Sequence, residues 1–427
     1  MYKVIFILFF IYPVNSYTQG IVEFTSFYSN SLEENRSVYV YLPEGYDPGG
    51  STDYPVVYFL HGGGFGSYQY IHGILDNLIG SGVISPVIFV QPDGTGGPYY
   101  GGFYTNSELN GNFEDYGAYD VVEFIDANYR TIPSPESRSI MGHSWGAYSS
   151  MKLALKHPDI FGVVAAHSGT PDLNVGVEVW RPHVLAENGG SPPYNFNPNA
   201  GVFSISIFGW AGAFSPNMTN PPFYVDFPLN SSGDIIDSVM VKWQQYNPTV
   251  LASQLSPNAN LTIYFDCGTY DEFECYPMNT AFADSLDQLE IPYTFQSYSG
   301  SHFNQLPDRF AISLTFLVSV MIPTTVESSL LNSRPGSFIL DQNHPNPFNP
   351  TTTISYQLPG TANVKIILYN VLGQKIKTLV NEELNAGYHE VIWKSTNEYG
   401  SKVTSGTYIY RMQTGDFVDT KKLILLR

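Results

Sequence analysis

Short, unbroken apolar runs punctuate the first three quarters of the chain. Residues 56–60 and 87–90 are continuously apolar, the pattern of strands covered on both faces. Residues 37–42, 138–141, 163–166, 261–265 and 293–298 read as further strands. Between them, Val121, Val122, Phe124, Ile125 and Tyr129 recur at helical spacing. So do Ala147, Met151, Leu153, Ala154 and Leu155, and again Ala281, Phe282, Leu286 and Leu289. Strands alternating with helices predict an α/β fold with a mostly parallel central sheet. Residues 310–322 form an apolar helix ended by Pro323, too short to cross a bilayer and so assigned to the core. Residues 173–250 break the rhythm with Gly, Pro, Asn and aromatics, which marks a functional insert or lid.

The pattern changes after Pro323. A polar linker over 323–335 gives way to short alternating strands near 352–357, 364–369, 375–380, 390–394, 407–412 and 421–426. Gly and Asn turns separate them, so residues 336–427 read as a small all-β, immunoglobulin-like sandwich. At the other end, residues 1–16 have the make-up of a secretory signal. Lys3 supplies the positive end, residues 4–12 the apolar stretch and Val14-Asn15-Ser16 the small residues for cleavage. Nine apolar residues fall well short of the roughly 20 that a spanning helix needs. The main domain therefore covers 21–322, and no stable membrane span is expected.

With 43% hydrophobic and 13% charged residues the chain is globular. Its formal charge is −19, but from Gly336 onward nine basic residues nearly balance seven acidic ones. The acidic excess lies in the main domain and would repel phosphate backbones and anionic lipid, which excludes nucleic acid as a partner. The 32 Tyr and 28 Phe suit an extracellular or carbohydrate-handling protein without establishing one.

The chemistry centres on Gly142-His143-Ser144-Trp145-Gly146, between a strand and a helix. Gly-x-Ser-x-Gly there is a nucleophile elbow, whose glycines let the backbone turn sharply enough to leave the serine standing above the sheet. A serine hydroxyl needs a base and an orienting acid, which should follow in loops after late strands, acid first. Asp271, in Asp271-Glu272 after the 261–265 strand, and His302, in Gly300-Ser301-His302-Phe303 after the 293–298 strand, meet that order. Asp266 and Glu272 compete for the acid's place; the first should still point along its strand, and the second needs the loop to turn the other way. His167 also follows a strand but precedes any candidate acid and reads as a packed histidine. His143 should pack beneath the elbow, while His157 and His183 read as solvated. His61-Gly62-Gly63-Gly64 follows the 56–60 strand, where glycines let backbone amides approach a developing oxyanion. The expected donors are the amides of Trp145 and of Gly63.

Cys267 and Cys275 flank Asp271. In an exported chain they could form a disulfide that fixes the acid-bearing loop, or stand as two buried thiols. Neither their spacing nor any His-Glu-x-x-His pattern implies a metal, and no cofactor is expected. Tyr99, Tyr100, Phe103, Tyr104, Trp180, Phe196, Phe208 and Trp210 could wall a cleft for an aryl or sugar group or simply line a large loop. Tyr104 and Trp210 are the expected substrate-binding pair.

Tyr41-Leu42-Pro43-Glu44-Gly45-Tyr46-Asp47, Pro55 to Gly64, the elbow and His157-Pro158-Asp159-Ile160-Phe161 resemble the α/β-hydrolase branch containing esterase D, feruloyl esterases and enterochelin esterase-like proteins. The resemblance spans about residues 21–320. It implies Ser144 as nucleophile, Asp271 as acid and His302 as base, with Gly63 and Trp145 as oxyanion donors. Two positions depart from the family pattern. Trp145 stands where Met is more frequent, and could narrow the acyl pocket; Ala147 stands where Gly is frequent. Asn343 to Thr351, Tyr369 to Gln374, Ser405 to Tyr408 and Lys421-Lys422 resemble a type IX secretion C-terminal sorting domain. That resemblance implies export across a bacterial outer membrane with the type IX machinery as partner; a carbohydrate-binding module is the alternative. The expectation is a secreted serine esterase acting on acetyl- or feruloyl-type esters of polysaccharide. An acyltransferase, a non-catalytic binding module and a peptidase of the same fold are its rivals.

Overall fold

The structure is a computed structural model that describes residues 19–63, 70–188, 194–197, 199, 201–256, 259–321, 338–340, 342, 343, 346, 348, 350–384, 387–415 and 417–425. The expected signal at 1–16, Gly64 and the expected linker at 323–335 lie outside the described residues. The rest divides into two compact units, one ending at residue 321 and one beginning at 338.

The first unit runs β1 (Ile21–Ser29), β2 (Glu34–Leu42), β3 (Val56–Leu60), α1 (Tyr70–Gly80), β4 (Ile88–Pro92) and a small hairpin of β5 (Asn106–Ser107) and β6 (Gly111–Asn112). Next come α2 (Phe113–Asp115), α3 (Val121–Asn128), β7 (Arg138–His143), α4 (Trp145–Lys156) and β8 (Val163–His167). The insert supplies α5 (Leu173–Glu187), α6 (Val202–Phe214), α7 (Asp237–Trp243) and α8 (Pro248–Ala252). β9 (Thr262–Gly268), α9 (Cys275–Gln288), β10 (Tyr293–Tyr298) and α10 (Leu306–Val320) complete it. Eight strands form one sheet in the order β1-β2-β4-β3-β7-β8-β9-β10. From β4 to β10 every neighbour is parallel, and β1 and β2 add an antiparallel edge.

Continuous apolar strands follow from cover on both faces. Val56, Tyr58 and Leu60 face a core with α3, α4, α8 and α9, while Val57 and Phe59 face α1 and α10. The helix expected at 310–322 is α10, Leu306–Val320, and packs in the core; no helix among the described residues is long and apolar enough to cross a membrane. The edge strand β1 and the helix α1 have no counterpart among the predicted elements. The insert, expected to be irregular, is helical and carries its own aromatic core around Trp180, Trp210, Phe214 and Trp243. Periodicity fails there for a physical reason: α6 is apolar on nearly every side because it is buried on nearly every side. In α5, Pro182 lies inside the helix, and Asp172 caps it by accepting from the amides of Asn174 and Val175.

The second unit is all β. β11 (Ile339–Leu340), β12 (Thr352–Leu358) and β15 (Gly387–Trp393) form one antiparallel sheet. β13 (Ala362–Asn370), β14 (Lys375–Leu384), β16 (Gly406–Thr414) and β17 (Phe417–Leu425) form the other, in the order β14-β13-β16-β17. Along β12 every second residue is buried; Ile354, Tyr356, Leu358, Ile366, Tyr410 and Leu425 share one core, as in a two-sheet sandwich.

Candidate active site

Ser144 stands between β7 and α4 with φ +58° and ψ −120°. An L-residue enters that region at a cost of about 1–3 kcal/mol, so the surroundings must impose it. A Cβ on Gly146 would collide with the carbonyl oxygen of Leu60, and one on Gly142 with the Gly146 carbonyl. The two glycines are therefore required by the close passage of α4 over β3. The Ser144 amide donates to the His167 carbonyl at 2.9 Å, which ties the turn to β8.

Trp145 is the first residue of α4, where helical N–H groups lack intrahelical acceptors and the dipole favours negative charge. Gly63 approaches its indole so closely that a Cβ would sit 2.6 Å from the ring. The turn carrying Gly63 is held by His61, whose Nδ1 donates to the Gly62 carbonyl at 2.8 Å and whose Nε2 accepts from the Gly94 amide at 3.0 Å.

Asp271 lies in the loop after β9 and His302 in the loop after β10. These loops cross at Gly268, where a Cβ would run into the Gly300 carbonyl. The amides of Thr269 and Tyr270 donate to the carbonyls of Tyr298 and Gly300 at 2.8 and 3.0 Å. Across this junction His302 Nδ1 meets Asp271 Oδ2 at 2.7 Å, and both side chains are buried. Burial raises the Asp271 carboxyl, but the bond to His302, its charge, and the amides of Phe273 and Cys275 outweigh that and hold it below the ordinary carboxylate range. His302 Nε2 is buried and has no hydrogen-bond partner among the described residues.

The main chain of His302 is pinned on both sides. Its amide donates to Glu272 Oε2 at 2.8 Å, and its carbonyl accepts from His143 Nε2 at 3.0 Å. The His143 and His302 rings lie 4.6 Å apart. Burial, then the neighbouring His302, push His143 well below the usual histidine range, so it stays neutral. His143 directly precedes Ser144, so this contact brings the elbow and the His302 loop together. Glu272, weighed as a competing acid, thus binds the backbone of His302 instead.

Asp266 and His167 belong elsewhere. His167 Nδ1 meets Asp266 Oδ1 at 3.0 Å, and its Nε2 meets Ser313 Oγ at 2.9 Å. Arg309 and the Tyr264 hydroxyl also donate to Asp266, each at 2.9 Å. All three members of this Ser-His-Asp arrangement are completely buried, and none lines the cleft beside Ser144. His157 differs from its expected solvated state, being held by Glu114 at 3.3 Å; His183 is half-buried, its ring stacked on Phe203 at 4.2 Å, and pairs with Glu274 at 3.2 Å.

A cleft of about 630 Å³ opens beside Ser144 and Gly63. Trp180, Phe203, Phe273 and Phe303 supply much of its wall, and among the described lining residues none is Lys, Arg, Asp or Glu. The expected substrate-binding pair is corrected here. Tyr104 adopts φ +46°, turns inward against Tyr116 and lies in the main core. Trp210 is fully buried and stacks at 4.6 Å behind Trp180, so it supports the wall without reaching the cleft. Of the other aromatic candidates Tyr100 and Trp180 line it, whereas Tyr99, Phe103 and Phe208 are buried in the core of the insert and Phe196 packs against it. Phe203, Phe273 and Phe303 were missed; the last two directly follow the acid and base segments, which was the available signal. Of the two alternatives for Cys267 and Cys275, the structure has the second: both are free, buried thiols.

This architecture, an eight-stranded and mostly parallel sheet with helices on both faces and a strand–serine–helix elbow, is that of an α/β-hydrolase. A ferulic acid esterase superposes with TM-score 0.50 at 19% identity, covering 71% of this chain and 99% of its own. An S-formylglutathione hydrolase from Agrobacterium tumefaciens gives 0.50 at 17%, covering 71% and 96%. Residues 29–306 match the family model described as "Putative esterase", and the chain belongs to that family. An esterase of Mycobacterium tuberculosis is 32% identical over 312 residues, 70% of this chain and 59% of its own. An endo-1,4-beta-xylanase/feruloyl esterase of Xylanibacter ruminicola is 31% identical over 161 residues, 35% and 22% of the two chains. The chain thus spans well under two thirds of these curated relatives. Residues 344–416 match the FlgD Ig-like domain.

Proposed function

We propose that the chain is a secreted serine esterase. The observation that carries this is the buried Asp271–His302 pair, with His302 Nε2 unpartnered among the described residues and its main chain tied through His143 to an elbow whose serine opens on a cleft with no Lys, Arg, Asp or Glu among its described lining residues. Ser144 Oγ attacks the ester carbonyl and passes its proton to His302 Nε2, while Asp271 accepts from Nδ1–H and stabilises the imidazolium. The amides of Trp145 and Gly63 receive the oxyanion. His302 then protonates the departing alkoxide, and water repeats the sequence to release the acid and free Ser144. Apo hydrogen bonds at such sites are often long and tighten on the substrate, which accommodates a serine not yet bonded to the base.

An aromatic, uncharged cleft favours neutral acyl groups, including acetyl and feruloyl esters of polysaccharide. The names of the relatives support the same direction. The residue 1–16 segment supports export, and the tail motifs support passage by the type IX machinery. Residues 21–322 then act as the catalytic domain and 336–427 as the sorting domain. A panel of esters varying in acyl and leaving group tests this reading. Hydrolysis is expected, with kcat/KM higher for aryl-acyl than for anionic acyl groups; no turnover of any ester would overturn it. Acceptor alcohols in the same assay separate hydrolysis from acyl transfer.

The two clamps on His302 should matter for rate more than for binding. His143→Phe removes the donor to the His302 carbonyl. A lost buried hydrogen bond costs about 1–1.5 kcal/mol, or roughly a tenfold fall in kcat if it all falls on the transition state. KM should change little, and His143→Gln, which restores an N–H, should recover part of the rate.

A further inference from the structure

The esterase reading leaves the two cysteines unused, yet both thiols are turned onto the acid. Cys267, near the end of β9, places Sγ 3.7 Å from Asp271 Oδ2. Cys275 is the first residue of α9 and lines the cleft beside Ser144 and His143. One donor atom from each of Asp271, Cys275 and His302 lies within 4.8 Å of the other two. A carboxylate, a thiol and an imidazole thus converge behind the part of the cleft wall that Cys275 forms.

We propose that Asp271, Cys275 and His302 form an inhibitory site for a soft divalent cation of the zinc class. The donor set discriminates among ions: sulfur and imidazole suit Zn²⁺ or Cd²⁺, whereas Mg²⁺ and Ca²⁺ take oxygen. With bonds of about 2.0–2.3 Å, coordinating atoms stand roughly 3.5 Å apart, so donors that already lie within 4.8 Å of one another need only small side-chain shifts, and binding at Nδ1 parts the 2.7 Å contact between His302 and Asp271. The ion enters from the cleft, which Cys275 borders. The Cys275 thiol gives up its proton to solvent as the sulfur–metal bond forms, so one proton is released per ion and affinity rises with pH.

Occupancy switches the enzyme off whichever ring nitrogen binds. At Nε2 the metal takes the lone pair that would accept the Ser144 proton. At Nδ1 it breaks the bond to Asp271 and leaves the neutral ring with its proton on Nε2, where no acceptor remains. The cation holds the acid and base together while removing their ability to relay a proton. Inhibition rests on the esterase reading; binding does not.

The test uses the full chain, freed of metal by a chelator. Cd²⁺ titration should produce the ultraviolet thiolate-to-cadmium absorption, saturating at one ion per chain, equally in the wild type and in Ser144→Ala. Cys275→Ser should weaken binding at least about tenfold, the lower range for loss of a metal-site partner, and Cys275→Ala guards against a folding defect in the first variant. Zn²⁺ should inhibit ester hydrolysis reversibly, with EDTA restoring it. The inhibitory concentration should rise at least tenfold in Cys275→Ser, each variant being referred to its own metal-free rate. An absent cadmium band, or a band and inhibition unchanged in both Cys275 variants, would overturn the site. If no ester is hydrolysed, the cadmium titration still decides binding, and only the esterase reading fails.

Discussion

Ser144→Ala is expected to cut kcat for p-nitrophenyl acetate by about 10⁴- to 10⁶-fold, the range in which loss of a triad serine leaves only oxyanion stabilisation and binding. The fold should hardly notice. Alanine removes one oxygen from a half-buried position and keeps the backbone the elbow imposes, because Gly142 and Gly146 set the passage of α4 over β3. The amide bond from Ser144 to His167 is unaffected by the side chain. Urea unfolding should therefore stay within about 0.5 kcal/mol of the wild type, as for substitutions away from packing and polar networks. Measured together, the two results separate chemistry from stability. A non-catalytic module on this scaffold would show no hydrolysis to lose, and a serine without a working base would show only a small fall.

The elements most legible in the sequence were those whose environment is uniform. β3 and β8 are buried along their whole length, so the apolar runs at 56–60 and 163–166 were unbroken. In β12 burial alternates, so its period of two was clear. The insert was opaque because α6 is surrounded by aromatics and shows no polar face. The α/β-hydrolase fold could be read from strand–helix alternation and the elbow together, and Ser144, Asp271 and His302 could be picked as candidates from their order in the loops. What order cannot carry is the choice among buried aromatics. Tyr104 and Trp210 have the composition of a binding wall, but a left-handed backbone at Tyr104 and the stack behind Trp180 turn both inward. The clamps from Glu272 and His143 were equally hidden, since each acts on the backbone of a residue far away in sequence. The cysteine spacing allowed a disulfide or two thiols; only the packing around Asp271 distinguishes them.

The two carboxylates of β9 and its following loop offer the second large effect, in opposite currencies. Asp271→Asn keeps the shape but replaces the acceptor of His302 Nδ1–H, so the ring loses the tautomer that leaves Nε2 able to take a proton. A fall in kcat of about 10⁴-fold is expected, with KM nearly unchanged. Asp266→Asn should do the reverse. It strips the carboxylate from the buried Arg309 and from His167, and breaking a buried pair by removing one partner costs about 3–5 kcal/mol. The rate per folded molecule should persist, because Ser313 and His167 have no access to the cleft. Acid stability provides an independent sign. Asp271 has a folded pKa below its unfolded value, about 3.9 for a free aspartate. Its contribution is therefore fully present above that value and is lost as pH falls through the folded one. In Asp271→Asn that part of the acid limb should disappear from urea midpoints measured between pH 5 and pH 2. If the Asp266 variant instead lost turnover while remaining folded, and the Asp271 variant stayed active, the buried arrangement under the sheet would have to be the working one, and the open cleft beside Ser144 would lose its role.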